Sequence, residues 1–270
     1  GLGVEILPLS LEMGGKSYRN YPDGRDIGFQ EFYTRLRAGE LATTSAVNVG
    51  EFEEKMREIL KTGKDILSIS FSSALSTTYQ SSVIAAEELK DEFPDAKILT
   101  VDSLCASLGQ GLLAYYACKK RDEGLSLGEL EQWLLDNRLH LCHWFTVDDL
   151  MYLKRGGRVS AATAIMGTML NIKPVLHVDN EGHLINVSKA RGRKASIQAM
   201  AKKVAELGAG FDNSVMFISH GDCREDAEYL AGLLKEQYGV KEVYINYVGA
   251  VIGSHSGPGT LALFFLGEHR

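Results

Sequence analysis

Residues 65–89 read DILSISFSSALSTTYQSSVIAAEEL, and this stretch decides how the fold is interpreted. It opens with a β-like run that ends near residue 71. A helical pattern follows, with one apolar face at spacings of four, four and three residues, formed by Leu75, Tyr79, Val83 and Ala86. A serine-rich turn joins the two patterns. The stretch therefore predicts a strand, a loop and a helix in succession, as in an α/β fold.

The same alternation continues on both sides of this unit. Asn48 is placed to cap one helix, and Ser126 with Glu129 forms a capping box for another. The predicted elements are a strand over residues 5–13, helices over 29–37 and 48–60, a strand over 65–71, a helix from 75, a strand over 97–101, helices over 104–120 and from 126, and a strand over 141–147. Such alternation favours right-handed βαβ units and a parallel sheet.

The second half of the chain has a different pattern. Residues 148–170 predict a helix, a glycine break and a second helix, and residues 173–190 predict a hairpin with its turn at Asn180 to Gly182. Two further helix and strand pairs follow. We place a domain boundary near residues 147–149. The sequence thus predicts a two-domain α/β fold, with a parallel-sheet N-terminal domain over residues 1–148 and a second α/β domain over residues 149–270.

Composition narrows the function classes. The chain has 270 residues, a net charge of −6 and 45% hydrophobic residues, which disfavours a nucleic-acid partner and allows a sizeable core. Its four cysteines lie far apart and are expected to be reduced thiols. No apolar run approaches the roughly 20 residues of a transmembrane helix. We expect a cytoplasmic protein without a transmembrane segment, and since the chain begins with Gly1 rather than Met, natural residues before it are expected.

The serine-rich turn is a candidate anion site. In open α/β sheets, ligands bind at the carboxyl ends of strands and beside helix amino termini. The hydroxyls of Ser72, Ser73 and Ser76, with free backbone N–H groups, are therefore expected to converge on one pocket. Ordinary helix capping is the alternative, because one serine suffices for an N-cap. The hydroxyls of residues 43–45 precede another helix and have the same two interpretations.

A glycine-rich stretch near the end supplies a candidate histidine. Residues 248–265 read VGAVIGSHSGPGTLALFF, which predicts a tight irregular loop between two apolar runs. His255 is expected at the centre of that loop. A lone histidine is most often a packing residue, but one held between glycines can be approached closely by a ligand.

The residues do not favour three other types of site. A serine hydrolase could use Ser76, His255 and Asp102, but the G-x-S-x-G nucleophile motif is missing. Neither G-x-G-x-x-G nor a Walker A sequence follows an early strand, so no nucleotide cofactor is expected. His140 and His143 in HLCH would point to opposite faces of a strand, and no metal site is expected there. We predict no catalytic residues and no cofactor.

Several motifs together resemble the DegV family of bacterial fatty-acid-binding proteins. They are, in order, SSALSTTYQSS, VDSLCASLGQG, YLKRGGRVS, KPVLHVDNEGHL with KARGRKA, and GSHSGPGT. The resemblance spans nearly the whole chain. It implies two α/β domains with one long-chain fatty acid in the cleft between them, the carboxylate held by hydroxyls of the first domain and the tail in a tunnel of the second. It also implies a binding subunit that presents the carboxylate to an ATP-bearing fatty-acid kinase subunit.

Residue by residue, the resemblance assigns the carboxylate site. Thr44 and Ser76 would bind the carboxylate, with Ser45, Ser73 and His255 completing the site. The chain departs from the family pattern in three residues of these motifs, namely Ala46, Val47 and Thr77, and the family's opening Asp-Ser loop is not visible. These departures concern details of the site and of the partner contact more than the ligand class.

Two further groups are candidates for the tail and for the partner. Met166 and Met169 lie in SAATAIMGTMLNI, whose small and flexible residues suit an adaptable acyl tunnel, although a plain helix core is the alternative. Arg158 and Arg191 belong to two basic clusters that are candidate contacts for a kinase subunit; solvated cations at a helix end are the alternative. A stand-alone lipid carrier without a kinase partner would have the same ligand site.

Overall fold

The computed structural model describes residues 2–160 and 171–270, and the predicted α/β fold is confirmed. The elements before residue 140 are β1 (Ser10–Met13), β2 (Lys16–Arg19), α1 (Phe29–Arg37), β3 (Ala42–Ser45), α2 (Val49–Leu60), β4 (Ile66–Ser70), α3 (Thr78–Glu88), β5 (Ile98–Asp102), α4 (Leu108–Asp122) and α5 (Leu127–Asn137). A short 3-10 turn, Arg138–His140, follows α5.

The later elements include all six strands of the largest sheet. They are β6 (Leu141–Thr146), α6 (Leu150–Arg155), β7 (Ile172–Val178), β8 (Leu184–Arg191), α7 (Arg193–Leu207), β9 (Val215–His220), α8 (Arg224–Tyr238), β10 (Glu242–Tyr247), α9 (Ala250–Ser256) and β11 (Leu261–Leu266). The predicted hairpin turn is present, since Asp179 N donates to His183 O at 3.0 Å and Gly182 has a φ of 87°.

The strands form three sheets in the described residues. β2, β1 and β3 make an antiparallel sheet, β4 and β5 pair in parallel, and six strands follow the order β10-β9-β11-β6-β7-β8. Parallel pairing among these residues is limited to β4 with β5 and β9 with β10. The first half is therefore a mixture of parallel and antiparallel strands, and the expectation of an all-parallel sheet there was too simple.

The sequence predicted that the strand over residues 141–147 closes the first series of strands, but β6 does not do so. It lies between β11 and β7 and pairs antiparallel with both. All six of its residues are buried, so its sequence has no alternation that could indicate which sheet it joins. A boundary at residue 148 separates β6 from its sheet neighbours, and the division into domains stays a prediction.

Near the amino terminus one predicted strand is shorter than expected, and one strand was not predicted. The strand predicted over residues 5–13 is limited to β1, because Pro8 lacks the N–H that a continuous ladder requires. Residues 42–45, for which the sequence predicted no strand, form β3, which pairs with β1 so that Leu11 lies opposite Thr44. A four-residue strand of alanine, threonine and serine carries almost no apolar pattern, so its pairing was not visible.

The helix starts were predicted more accurately. Asn48 and Glu51 form a reciprocal capping box at α2, and Ser126 and Glu129 form another at α5. A cap of this kind stabilises a helix by about 1 kcal/mol, and it depends on residues only three positions apart.

The glycine-rich stretch is a helix rather than the loop that we predicted. α9 ends where Gly257 takes a φ of 80°, and His255 lies in its last turn. Gly253 serves helix packing, because a Cβ there would lie 2.6 Å from the Tyr33 hydroxyl and 2.8 Å from Phe32 Cε1. Ala250 and Val251 share a small core with β1 and α1, which holds α9 against the three-stranded sheet.

Two other observations bear on the class of protein. None of the helices in the described ranges is both long and apolar enough to span a bilayer. The four cysteines all lie in these ranges and are unpaired, and three of them are buried.

Candidate functional site

Thr44 and His255 meet although they are 211 residues apart in the chain. Thr44 Oγ1 lies 2.7 Å from His255 Nε2, a hydrogen-bond distance, and both residues are half-buried. β3 supplies the threonine and the last turn of α9 supplies the histidine. The packing of α9 on the three-stranded sheet therefore creates this contact.

The environment of His255 keeps its ring neutral. Burial, with a smaller contribution from the positive charge of Arg158, lowers the pKa of His255 to about 4 from an ordinary value of 6.5. On its other side the ring lies against Gly156, where an added Cβ would be 2.2 Å from Nδ1. At neutral pH the ring therefore has one proton to donate and one nitrogen that can accept.

The serines of the β4–α3 loop do not all face one pocket. Ser76 is half-buried, and its Oγ lies 2.9 Å from Thr78 Oγ1. Ser73 is exposed. Ser72 is fully buried and donates to the carbonyl of Gly182 at 3.1 Å, so its hydroxyl fixes the β7–β8 turn instead. The expected convergence of three hydroxyls was wrong for Ser72.

The backbone N–H groups of this loop are also occupied. Ser72 N donates to Cys105 O, the N–H groups of Leu75 and Ser76 both donate to Ser72 O, and Ser73 N donates to Asp102 Oδ1 at 3.2 Å. These four groups cannot form the anion cradle that we expected from the sequence. Any anion bound here would be held mainly by side-chain hydroxyls.

Arg158 joins two loops around the histidine. Its Nε and Nη2 donate to Leu75 O at 3.3 and 3.0 Å, and its Nη1 donates to Gly156 O. Leu75 directly precedes Ser76, so the guanidinium fixes the backbone at the serine while its charge reaches His255. The sequence suggested Arg158 as a partner contact, and this inward role was not predicted. The adjacent glycines at 156 and 157 were the only sequence signal that pointed to it.

The remaining predicted residues lie in different places. Ser45 is exposed at the end of β3, and Arg191 is exposed at the end of β8. The basic cluster around Arg191 is divided, because Arg193 pairs with Asp226 at 2.8 Å and Lys194 lies over the Tyr229 ring. Met166 and Met169 lie outside the described residues.

The geometry does not support a hydrolase triad. Asp102 Oδ1 accepts N–H bonds from Ser73 and Leu104, and the charged neighbour of His255 is the cation Arg158. No carboxylate among the described residues forms a hydrogen bond or ion pair with His255. A catalytic histidine of a triad needs such a carboxylate to orient it and to stabilise its protonated form.

One group of possible metal ligands occurs in the described ranges, at the β7–β8 turn. Ligand atoms of Asp179, Glu181 and His183 lie within 4.8 Å of one another. Asp179 Oδ1 already accepts the N–H groups of Glu181 and His183, each at 2.9 Å. The carboxylate is thus accounted for by the turn that it stabilises.

Comparison with known proteins gives one family. The family model described as an uncharacterised protein of the DegV family matches residues 1–268. A DegV domain-containing protein of Clostridium perfringens is 49% identical over 269 residues, which are 100% of this chain and 92% of the relative. One from Streptococcus pyogenes is 35% identical, with 98% and 92% covered.

Solved structures are similar along the same length. A structure described as fatty-acid binding of a DegV family protein from Thermus thermophilus is 31% identical, with a TM-score of 0.86 and 98% and 92% of the two chains covered. DegV of Bacillus subtilis, described as a fatty-acid-binding protein, is 29% identical, with a TM-score of 0.83 and 99% and 93% covered.

Proposed function

The chain belongs to the DegV family, and on that premise we propose that it binds one long-chain fatty acid with the carboxylate at Thr44, Ser76 and His255. The observation that carries the proposal is the contact between Thr44 and His255, which pairs a hydroxyl with a neutral ring beside the half-buried cation Arg158. Fatty-acid binding by the similar proteins of Thermus thermophilus and Bacillus subtilis supports the ligand class.

The hydrogen bonds of the site suit a carboxylate. When His255 carries its proton on Nε2, the ring donates to Thr44 Oγ1, and the threonine hydroxyl is free to donate to a carboxylate oxygen. When Thr78 donates to Ser76 Oγ, the serine hydroxyl is free in the same way. Each bond to a charged group contributes about 1.5–3 kcal/mol. The field of Arg158, which disfavours a proton on His255, favours an anion at the same place.

The tail supplies most of the affinity in this proposal. Burying the methylenes of a sixteen-carbon chain gives roughly 12 kcal/mol at about 0.8 kcal/mol per CH₂, before the costs of association. The head group determines orientation instead, because it fixes which end of the ligand reaches the surface. Met166 and Met169 remain our candidates for the tunnel in the second domain.

The finer proposal is that this protein serves a fatty-acid kinase in the cytoplasm. A carboxylate oxygen of the bound acid would attack the γ-phosphorus of ATP held by a partner subunit, the bond from that phosphorus to the bridging oxygen would break, and ADP would leave. The chain itself would hold and orient the acid. Two observations support a partner for this step. Arg158 lies beside the head-group site, which is formed by Thr44, Ser76 and His255. Arg191 is exposed in a chain of net charge −6.

Native mass spectrometry of protein purified from a bacterial host, followed by organic extraction, tests the ligand class. We expect a mass increase equal to one fatty acid, and the same acid in the extract. A protein that emerges without lipid and fails to bind added palmitate or oleate in a titration would contradict the proposal. If wild-type protein binds the acid but no fatty-acid kinase subunit from the source cell acts on the complex, the stand-alone carrier replaces the kinase role.

A further inference from the structure

Gly156 and Gly157 are adjacent, but they require glycine for different reasons. Gly156 ends α6 with a φ of −71° and a ψ of −9°, an ordinary right-handed conformation that any residue adopts. Gly157 has a φ of 73°, which favours glycine, and nothing in the described chain lies within 4 Å of its missing Cβ. The backbone therefore explains Gly157 and leaves Gly156 unexplained.

The missing side chain of Gly156 is explained by His255. A Cβ at residue 156 would lie 2.2 Å from Nδ1, 3.1 Å from Cγ and 3.2 Å from Cε1 of the histidine. All three of these nearest atoms belong to the ring whose Nε2 lies 2.7 Å from Thr44 Oγ1. A real Cβ never comes this close to ring atoms, so any larger residue would push the ring away from its present position.

The carbonyl of Gly156 has a second contact with the site. It accepts a hydrogen bond from Arg158 Nη1, while Nε and Nη2 of the same side chain donate to Leu75 O. One residue thus meets the histidine ring on its Cα side and the guanidinium on its carbonyl side. The ring and the cation that lowers the pKa of the ring are placed relative to each other by this one peptide unit.

We infer that Gly156 is a positioning residue of the head-group site, whose lack of a side chain seats the His255 ring so that it can bond Thr44. The inference rests on the proposed fatty-acid function for its effect on ligand binding, but the seating of the ring can be tested without any ligand. Gly156 touches no ligand in this account; it acts only through His255.

The test compares Gly156→Ala with Gly157→Asn in the full chain. Asparagine tolerates a positive φ, and a Cβ at residue 157 would have nothing in the described chain within 4 Å, so this variant is the matched control. NMR titration of the ligand-free proteins reports the His255 pKa. A displaced ring regains solvent, so we expect its pKa to rise from about 4 toward 6.5 in Gly156→Ala and to stay near 4 in Gly157→Asn.

Ligand binding gives the second measurement. With palmitate as the probe, we expect Gly156→Ala to bind roughly tenfold more weakly or worse, as removal of one bond to a charged group does, and Gly157→Asn to match wild type. An unchanged His255 pKa in Gly156→Ala overturns the inference whatever the affinity. If the His255 pKa shifts in Gly156→Ala but wild-type protein binds no palmitate, the inference about the ring position stands and the proposed function is contradicted instead.

A third variant covers the case in which Gly156→Ala does not fold. The double variant Gly156→Ala/His255→Ala lacks the ring that meets the new Cβ, so it should fold when the single variant does not. Failure of the double variant as well would mean that residue 156 needs glycine for another reason, and the inference would be wrong. If the double variant folds, its affinity for palmitate should equal that of His255→Ala alone, because the new Cβ has no ring to displace.

Discussion

Arg158 donates two N–H groups to the main-chain carbonyl of Leu75, at 3.3 and 3.0 Å, and so ties the loop after α6 to the residue that precedes Ser76. A cation with an exposed position would act on a partner alone. Because Arg158 is bonded in this way, it acts both on the β4–α3 loop, which carries Ser76, and on His255.

Arg158→Ala separates these roles. We expect fatty-acid affinity to stay within about tenfold of wild type, because the tail supplies most of the binding, while acyl-phosphate formation with the kinase subunit falls sharply. The His255 pKa should rise but stay below its ordinary value, because burial, the larger cause of the shift, remains while the positive charge is gone. A coupled kinase assay and a binding titration measure the two effects. Parallel loss of both would place Arg158 in the pocket alone.

Replacing Thr44 and Ser76 together by alanine tests the head-group assignment. We expect fatty-acid binding to weaken by roughly 2–5 kcal/mol with little change in unfolding, because two bonds to the carboxylate are lost. The matching fatty alcohol should lose much less. Thr43→Ala, an exposed neighbour on β3, is the control and should bind normally. Equal losses for acid and alcohol would rule out a carboxylate at these hydroxyls.

The pH dependence of stability should contain a contribution from His255. Its pKa in the folded protein, about 4, lies below the ordinary 6.5, so the unfolded chain takes up the proton first as the pH falls. The stabilisation is complete above pH 6.5 and is lost as the pH falls toward 4. Burial lowers the pKa of His143, His177 and His220 in the same direction.

His255→Asn should therefore lose less unfolding free energy than wild type as the pH falls from 6.5 to 4, and the other three histidines should contribute to the slope that remains. Denaturant titrations at several pH values give the unfolding free energies. An identical slope in the variant and in wild type would show that His255 titrates normally in the folded protein.

The contact between Ser72 and Gly182 should be visible as a coupling energy. Ser72→Ala leaves the carbonyl of Gly182 without its donor and should cost about 1–3 kcal/mol. Gly182→Ala should cost more than about 1 kcal/mol, because φ is positive at this residue. Its new Cβ would also lie 2.3 Å from Ser72 Oγ, so the double variant should lose less than the sum. Additive losses in urea unfolding would mean that the loop and the turn do not touch.

The parts of the fold that depend on neighbouring residues could be predicted from the sequence. The capping boxes of α2 and α5 act over three positions, and the β7–β8 turn needs only a glycine and the residues beside it. The sheet to which β6 belongs could not be predicted, because every residue of that strand is buried and the pairing partners lie at residues 172–178 and 261–266.

The candidate site shows the same limit. The serines of the β4–α3 loop were recognised as a group, but which hydroxyl faces the site depends on Gly182, a residue 110 positions away from Ser72. The pairing of Thr44 with His255 was indicated only by family resemblance, since nothing local to either residue identifies the other. The steric reason for Gly156 became visible only when the ring of His255 was in place.

The distance of 211 residues between Thr44 and His255 has a consequence for how the protein is made. A ribosome releases β3 long before α9 has been synthesised, so the nascent chain has half of the head-group site for most of its translation. A fatty acid cannot serve as a template for early folding under these conditions. Under the proposed function, lipid capture is instead a late event, and it marks a chain whose two distant segments have already come together.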